Sequence, residues 1–311
     1  MTLSPERKFR AYFFPKRLMK HTIQNPWLSV TVDEHGAEMR SLMRQADQCE
    51  MLWQGDAKYW DGQSPILFPT VGRVYDDHIR HQGNIYPMPK HGLVKDMDFT
   101  LTAKDEESLT LSVKSNRKTL RHYPFPFALS IEYRLEGKQL CVSFTVDNPS
   151  DEPLPFHLGA HPALNLPAFC EDDSVHGYLG FDVRERLVSN GLKPGGYLWP
   201  EGSFPVPLDE HSLMPLTNET FLCDTILDSR HLARACTLYN KGKEPIARVN
   251  FDSQVLALWA PNGGQAPFVC IEPWWGCCDE ADYEGEFAER PWTNIVDPKD
   301  TKTLSYTITL I

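Results

Sequence analysis

The sequence predicts an all-β protein: a large antiparallel β-sandwich with long loops across one sheet face. Three observations carry this. Apolar and polar residues alternate with period two over long stretches of the 311-residue chain, the pattern of strands with one buried face. The 25 prolines and 19 glycines fall throughout, so these runs are short and turn often. Helical stretches are few, and only His211 to Met214 and Phe287 to Arg290 read as single helical turns.

In chain order, Leu28, Val30 and Val32 open the first alternating run. Ile79 to Met88 reads as a short hairpin turning at Gln82-Gly83-Asn84. Phe127, Leu129, Ile131, Tyr133 and Leu135 alternate with Ala128, Ser130, Glu132 and Arg134. After the turn Glu136-Gly137-Lys138, Leu140, Val142, Phe144 and Val146 alternate with Cys141, Ser143 and Thr145. That is a long hairpin with one buried face. Leu304, Tyr306, Ile308 and Leu310 repeat the device at the C-terminus. No linker, low-complexity tract or fixed-period repeat divides the chain, and a sandwich of this length fits one domain.

Composition removes several function classes. The net charge of −11, with no basic stripe, argues against nucleic acid as a partner. No apolar run approaches the roughly 18 residues of a membrane span. The N-terminus, MTLSPERKFRAYFFPKRLMK, is basic but lacks the apolar core and cleavage site of a secretory signal. Of the eight cysteines none forms a C-x-x-C pair, and Cys277 and Cys278 are adjacent. They read as reduced thiols of a cytoplasmic protein.

Four segments share an odd character. In LGAHPALNLP (158–167), Gly159 and Pro162 break any regular helix or central strand around His161, yet the flanks are apolar. In PILFPTVGRVYDD (65–77), Arg73 follows a glycine. In YPMPKHGLVKDMDF (86–99), His91 precedes one. In PFVCIEPWWG (267–276), Glu272 ends an apolar strand before Pro273, Trp274 and Trp275. Each has a bland reading: a histidine satisfied in the core, an arginine paired with Asp76 or Asp77, a turn residue, a solvated glutamate, core tryptophans. Their conjunction points further. Two histidines, a carboxylate and an arginine at Gly- or Pro-flanked strand ends are what a rigid scaffold presents for chemistry, and tryptophans beside a carboxylate suit a sugar ring. A histidine and a carboxylate can move protons without a cofactor. No phosphate loop, dinucleotide fingerprint or metal-ligand spacing occurs, so neither cofactor nor metal is expected. No G-x-S-x-G elbow supports a serine hydrolase. A glycosidase wants two carboxylates about 5–9.5 Å apart, and Asp224 in FLCDTILDS is only a weaker second candidate.

These residues resemble the aldose 1-epimerase (mutarotase) family, in particular its shorter bacterial branch. LSVTVDEHGAEMRSL, LWQGDAKYW, PILFPTVGRVYDD, KHGLVKDMDF, FHLGAHPALNLP and VCIEPWWG occur in family order. The resemblance implies a sandwich of the galactose-mutarotase type over a single domain, 19–311. Residues 1–18 lie outside it, as an extension, an upstream start or a disordered tail. It also implies roles. Glu272 resembles the general base and His161 the general acid. His91 resembles the second histidine near the reacting centre, Arg73 the substrate-binding arginine, and Asp224 the aspartate that holds sugar hydroxyls. Where longer members have an Asn before the arginine, this chain has Gly72.

The expected function is interconversion of the α and β anomers of a free hexose, with Trp274, Trp275 or Trp259 at the pocket wall. An ionised glutamate and a protonated histidine suit this near neutral pH if neither is shifted far. A hexose phosphate would need basic residues at the sugar's far end, of which Arg73 is one candidate. A non-catalytic sugar-binding protein on the same fold is the alternative from another class. The partner is a small-molecule sugar, and the chain is expected to be a monomer or weak homodimer.

Overall fold

The computed structural model describes residues 19–183 and 187–311; the extension expected over 1–18 lies outside the described residues. Every paired strand is antiparallel to its neighbours. A nine-stranded sheet runs in the order Leu213–Leu216, Gly177–Phe181, Ala235–Tyr239, Pro245–Phe251, Thr301–Leu310, Gln139–Asp147, Ala128–Glu136, Ser108–Lys114, Thr100–Lys104. A second sheet runs Tyr197–Pro205, Val188–Lys193, Ile226–Asp228, Val255–Trp259, Phe268–Trp275, Leu158–Ala160, Ile66–Leu67, with Ala163–Asn165 also on Phe268–Trp275. Four strands between Lys20 and Glu50 form a third.

The long hairpin follows from its alternation. Leu129 stands opposite Val146 and Leu135 opposite Leu140, and every apolar position of that set is buried. A one-residue slip would put all of them in water. Gly137 supplies the positive φ of the turn, 60°, at no steric cost. The hairpin's inner face meets the second sheet, where Phe144 lies 6.0 Å from Trp275, ring centre to ring centre. This is the face-to-face packing of a sandwich.

Helix is confined to single 3₁₀ turns among the described residues, such as Val94–Asp96 and Phe287–Glu289. The turn expected at His211 to Met214 is instead a bend leading into the edge strand Leu213–Leu216. Asp209 Oδ1 accepts from the amides of His211 and Leu213, closing the bend, and Leu213 and Met214 then bury as strand residues. No helix of the described residues is long and apolar enough to cross a membrane.

Candidate active site

The site is built on Phe268–Trp275, a strand whose eight residues are all buried. Glu272 lies inside this strand rather than at its end, a correction to the sequence expectation. Gly159 pairs with Trp274 and Ala163 with Cys270, so one register runs through both short segments and sets His161 directly opposite Glu272. Ile271 donates its amide to Pro162 O at 3.2 Å. The His161–Glu272 position is therefore a non-hydrogen-bonded pair, where facing side chains approach most closely. On either side Pro162 and Pro273 withhold amide donors from the seam, which splits the partner strand in two. The broken segment LGAHPALNLP thus serves to place a histidine across from a glutamate: His161 Nε2 is 3.3 Å from Glu272 Oε2.

The face around this pair is shaped by side-chain size. Gly159 leaves room for an indole, since a Cβ there would be 2.8 Å from Trp274 Cδ1. Trp274 Nε1 donates to Glu272 Oε2 at 3.2 Å. Trp60, which sequence reasoning did not single out, stacks on His161 at 4.9 Å and 29°. Trp259 meets both Trp60 and His161 edge-on. Trp275, on the opposite face of the strand, is core: it packs on Phe144 and donates to Asp252 Oδ1 at 3.3 Å.

Loops bring the remaining candidates to the same cavity of about 640 Å³. His91 is held at a positive φ, 66°, by a two-way link to Gly72: its amide donates to Gly72 O at 2.9 Å, and Gly72 N donates to His91 Nδ1 at 3.2 Å. With Nδ1 accepting, the ring proton sits on Nε2. The His91 ring lies 5.6 Å from that of His161. Gly92 is obligatory there, because a Cβ would be 2.2 Å from Phe68 O. Arg73 stands at the rim with its side chain 38% exposed and holds Asp77 through Nε at 2.9 Å, so the surface pairing and the pocket position hold together. Asp224 is exposed on the lining, its Oδ1 accepting from Thr225 N and Oγ1. Glu38, Arg40, Lys90 and Lys95 also line the cavity.

A family model described as aldose 1-epimerase matches residues 19–308. The chain belongs to the aldose 1-epimerase family. Protein LacX of Lactococcus lactis is 31% identical over 298 residues, covering 93% of this chain and 98% of that protein. A galactose mutarotase related enzyme from Lactobacillus acidophilus superposes with a TM-score of 0.87 at 29% identity, over 94% of this chain and 97% of that one. A galactose mutarotase-like protein from Lactobacillus casei gives 0.88 at 28%, over 94% and 100%.

In this member of the epimerase family, burial sets the protonation of the central pair. It pushes His161 down to about 3 and Glu272 well above the usual carboxylate range, because each loses the water that would solvate its charge. Lys90 and the Trp274 N–H pull Glu272 the other way. Both shifts act in the same sense: burial disfavours the imidazolium and the carboxylate alike, and so favours the proton on the carboxyl over the proton on the ring. The ionised glutamate beside a protonated histidine, expected from ordinary values, has the same proton count with the proton on the other partner. His91 is also held neutral by burial. Among the lining cations, Arg40 pairs with Glu38 at 3.0 Å, Lys95 with Asp96 at 2.5 Å and Arg73 with Asp77. Cys270, Glu272 and His161 bring their donor atoms within 4.8 Å of one another, a grouping that residue spacing along the chain could not reveal.

Proposed function

We propose that this chain is an aldose 1-epimerase acting on a free hexose. The observation that carries the proposal is the His161–Glu272 pair, its nitrogen and oxygen 3.3 Å apart on the cavity floor. The reacting oxygens of a pyranose, O1 and O5, are both bonded to C1. Two groups this close can serve both at once. With the proton on His161, Glu272 takes the O1 proton while His161 protonates O5, and the C1–O5 bond breaks to give the open aldehyde. Glu272 then holds the proton, the arrangement its burial favours. Rotation about C1–C2 presents the other carbonyl face, and reclosure returns both protons. Each positioned group supplies about 10²–10⁴-fold, and confinement of the aldehyde favours reclosure over escape.

Trp60, Trp259 and Trp274 offer flat apolar walls to the sugar's C–H faces. His91 Nε2–H and Arg73 are donors for hydroxyls, and Asp224 an acceptor. Three of the four lining cations, Arg40, Lys95 and Arg73, are paired with carboxylates, which favours a neutral sugar over a phosphorylated one: a phosphate would meet Lys90 directly but would have to displace the partners of the other three. The test is polarimetry on freshly dissolved α-glucose and α-galactose. Faster decay to the equilibrium rotation with protein present supports the proposal. Sugar binding without acceleration would make the chain a non-catalytic binding protein.

A further inference from the structure

We propose that Cys270, Glu272 and His161 form a binding site for a thiophilic divalent cation of the zinc class, which shuts the sugar site when it binds. The three come from one face of the sheet: Cys270 and Glu272 two residues apart on the same strand, His161 across from Glu272 in the fixed register. All are buried, and their donor atoms lie within 4.8 Å of one another. Bond lengths of about 2.0–2.3 Å in a tetrahedral zinc site require donor–donor edges of about 3.3–3.8 Å. The His161–Glu272 edge, 3.3 Å, already meets this, and the edges to the thiol, none longer than 4.8 Å, need to shorten by about 1 Å at most to reach the upper end of that range.

One imidazole, one carboxylate and one thiolate form a donor set that zinc accepts, and the sulfur disfavours magnesium or calcium. Three protein ligands leave a fourth position toward the cavity, where Glu272 and His161 line the wall. Binding expels two protons, one from Cys270 Sγ and one from the His161–Glu272 pair; no electrons move. The ion then occupies both lone pairs needed for sugar chemistry, so it acts as an inhibitor competing with sugar and not as a required cofactor. The effect on turnover rests on the acid–base role proposed for the pair; the binding itself does not.

The test uses chelator-treated full-length protein titrated with Co²⁺ and then Zn²⁺. Expected are a near-ultraviolet sulfur-to-cobalt charge-transfer band saturating at one ion per chain, and its loss on adding Zn²⁺. Cys270→Ala and Cys270→Ser should abolish the band and keep mutarotation. The Zn²⁺ needed for half-inhibition should rise by at least the roughly 10–100-fold that even outer-shell partners of a metal site carry. Absence of the band overturns the site. So does a band that survives in both Cys270 variants and disappears in Cys278→Ala, which would move the ion to the Cys277–Cys278 pair, whose sulfurs are 4.0 Å apart. Because the cobalt spectrum needs no turnover, a protein without epimerase activity would still decide the question.

Discussion

Replacing Glu272 by Gln separates two consequences of one buried carboxyl. The amide keeps the size and the hydrogen bond with Trp274 but cannot pass a proton. Loss of one acid–base group costs about 10²–10⁴ in rate, or about 2.7–5.4 kcal/mol in barrier. Stability moves the other way. In the unfolded chain a glutamate ionises above about 4.5, whereas the folded chain keeps Glu272 protonated well beyond that. Between those limits folding takes up a proton at Glu272, so this group's contribution to stability falls as pH rises, by about 1.4 kcal/mol per pH unit; the opposite contribution of His161, depressed to about 3, is common to wild type and variant and drops out of their difference. Gln does not titrate. The variant should match the wild type in stability below about pH 4.5 and then gain at that slope until the folded-state pKa of Glu272 is passed. At roughly 2 °C per kcal/mol for a chain of this size, the gain shows in melting curves. Polarimetry gives the rate, and urea unfolding at about pH 5, 6 and 7 gives the slope. Near-full mutarotation by the variant, or a stability difference that stays flat over those pH values, would refute the reasoning.

Other outcomes follow from the same geometry. His161→Asn should also lose about 10²–10⁴ in kcat, and the Glu272→Gln/His161→Asn double variant should fall far short of the product of the singles, because the two groups act in one step; a multiplicative loss counts against a shared proton. The kcat/KM profile should keep a broad plateau, with its acid limb toward about 3, where His161 gains a second proton for the pair, and its alkaline limb where Glu272 loses the first. A midpoint near the ordinary glutamate value on the acid side would contradict this, the two limbs being properties of the coupled pair. Gly92→Ala puts a Cβ 2.2 Å from Phe68 O at a φ of +75°, which should cost about 1–2 kcal/mol in backbone strain and about 1–3 in overpacking. A lower melting temperature with a raised KM, from displacement of His91, is the expected pair of readouts. Arg73→Ala should raise KM and spare kcat, since Arg73 sits at the rim and moves no proton in the proposed reaction; a large fall in kcat would place it in the proton transfer instead.

The sandwich was legible because most strands bury one face, and period-two alternation exposes that directly. It failed where no face is solvated. Phe268–Trp275 has no alternation, so the sequence could not show that Glu272 is interior, or which of Trp274 and Trp275 looks into the cavity. Parity along the strand decides that, and parity needs the register. Pro273 suggested a strand end because proline is rare in central strands; here it falls where the facing strand is itself interrupted between Leu158–Ala160 and Ala163–Asn165, so its missing amide costs one ladder bond in a seam that is already split. The candidate residues were found from their glycine and proline neighbours, yet the face-to-face relation of His161 and Glu272 belongs to strand pairing and is invisible to local pattern. Trp60 sits in a polar loop with no period at all, where only its aromatic character could have drawn notice. The sequence of His211 to Met214 reads as a helical turn because Asp209, whose carboxylate closes the bend, lies outside the window that carries the pattern.

The all-buried strand beneath the site has a consequence for how such a protein can change. The His161–Glu272 pair is tied to the sheet register, so moving either partner means re-pairing the strands on both sides and unpacking Trp275 from the core. Arg73, His91 and Asp224 hang from loops that end in positive-φ turns and can lengthen, shorten or change sequence without touching that register. On the function proposed for the pair, divergence in what is recognised is therefore mechanically uncoupled from the chemistry, and the lining can vary one loop at a time over a fixed floor.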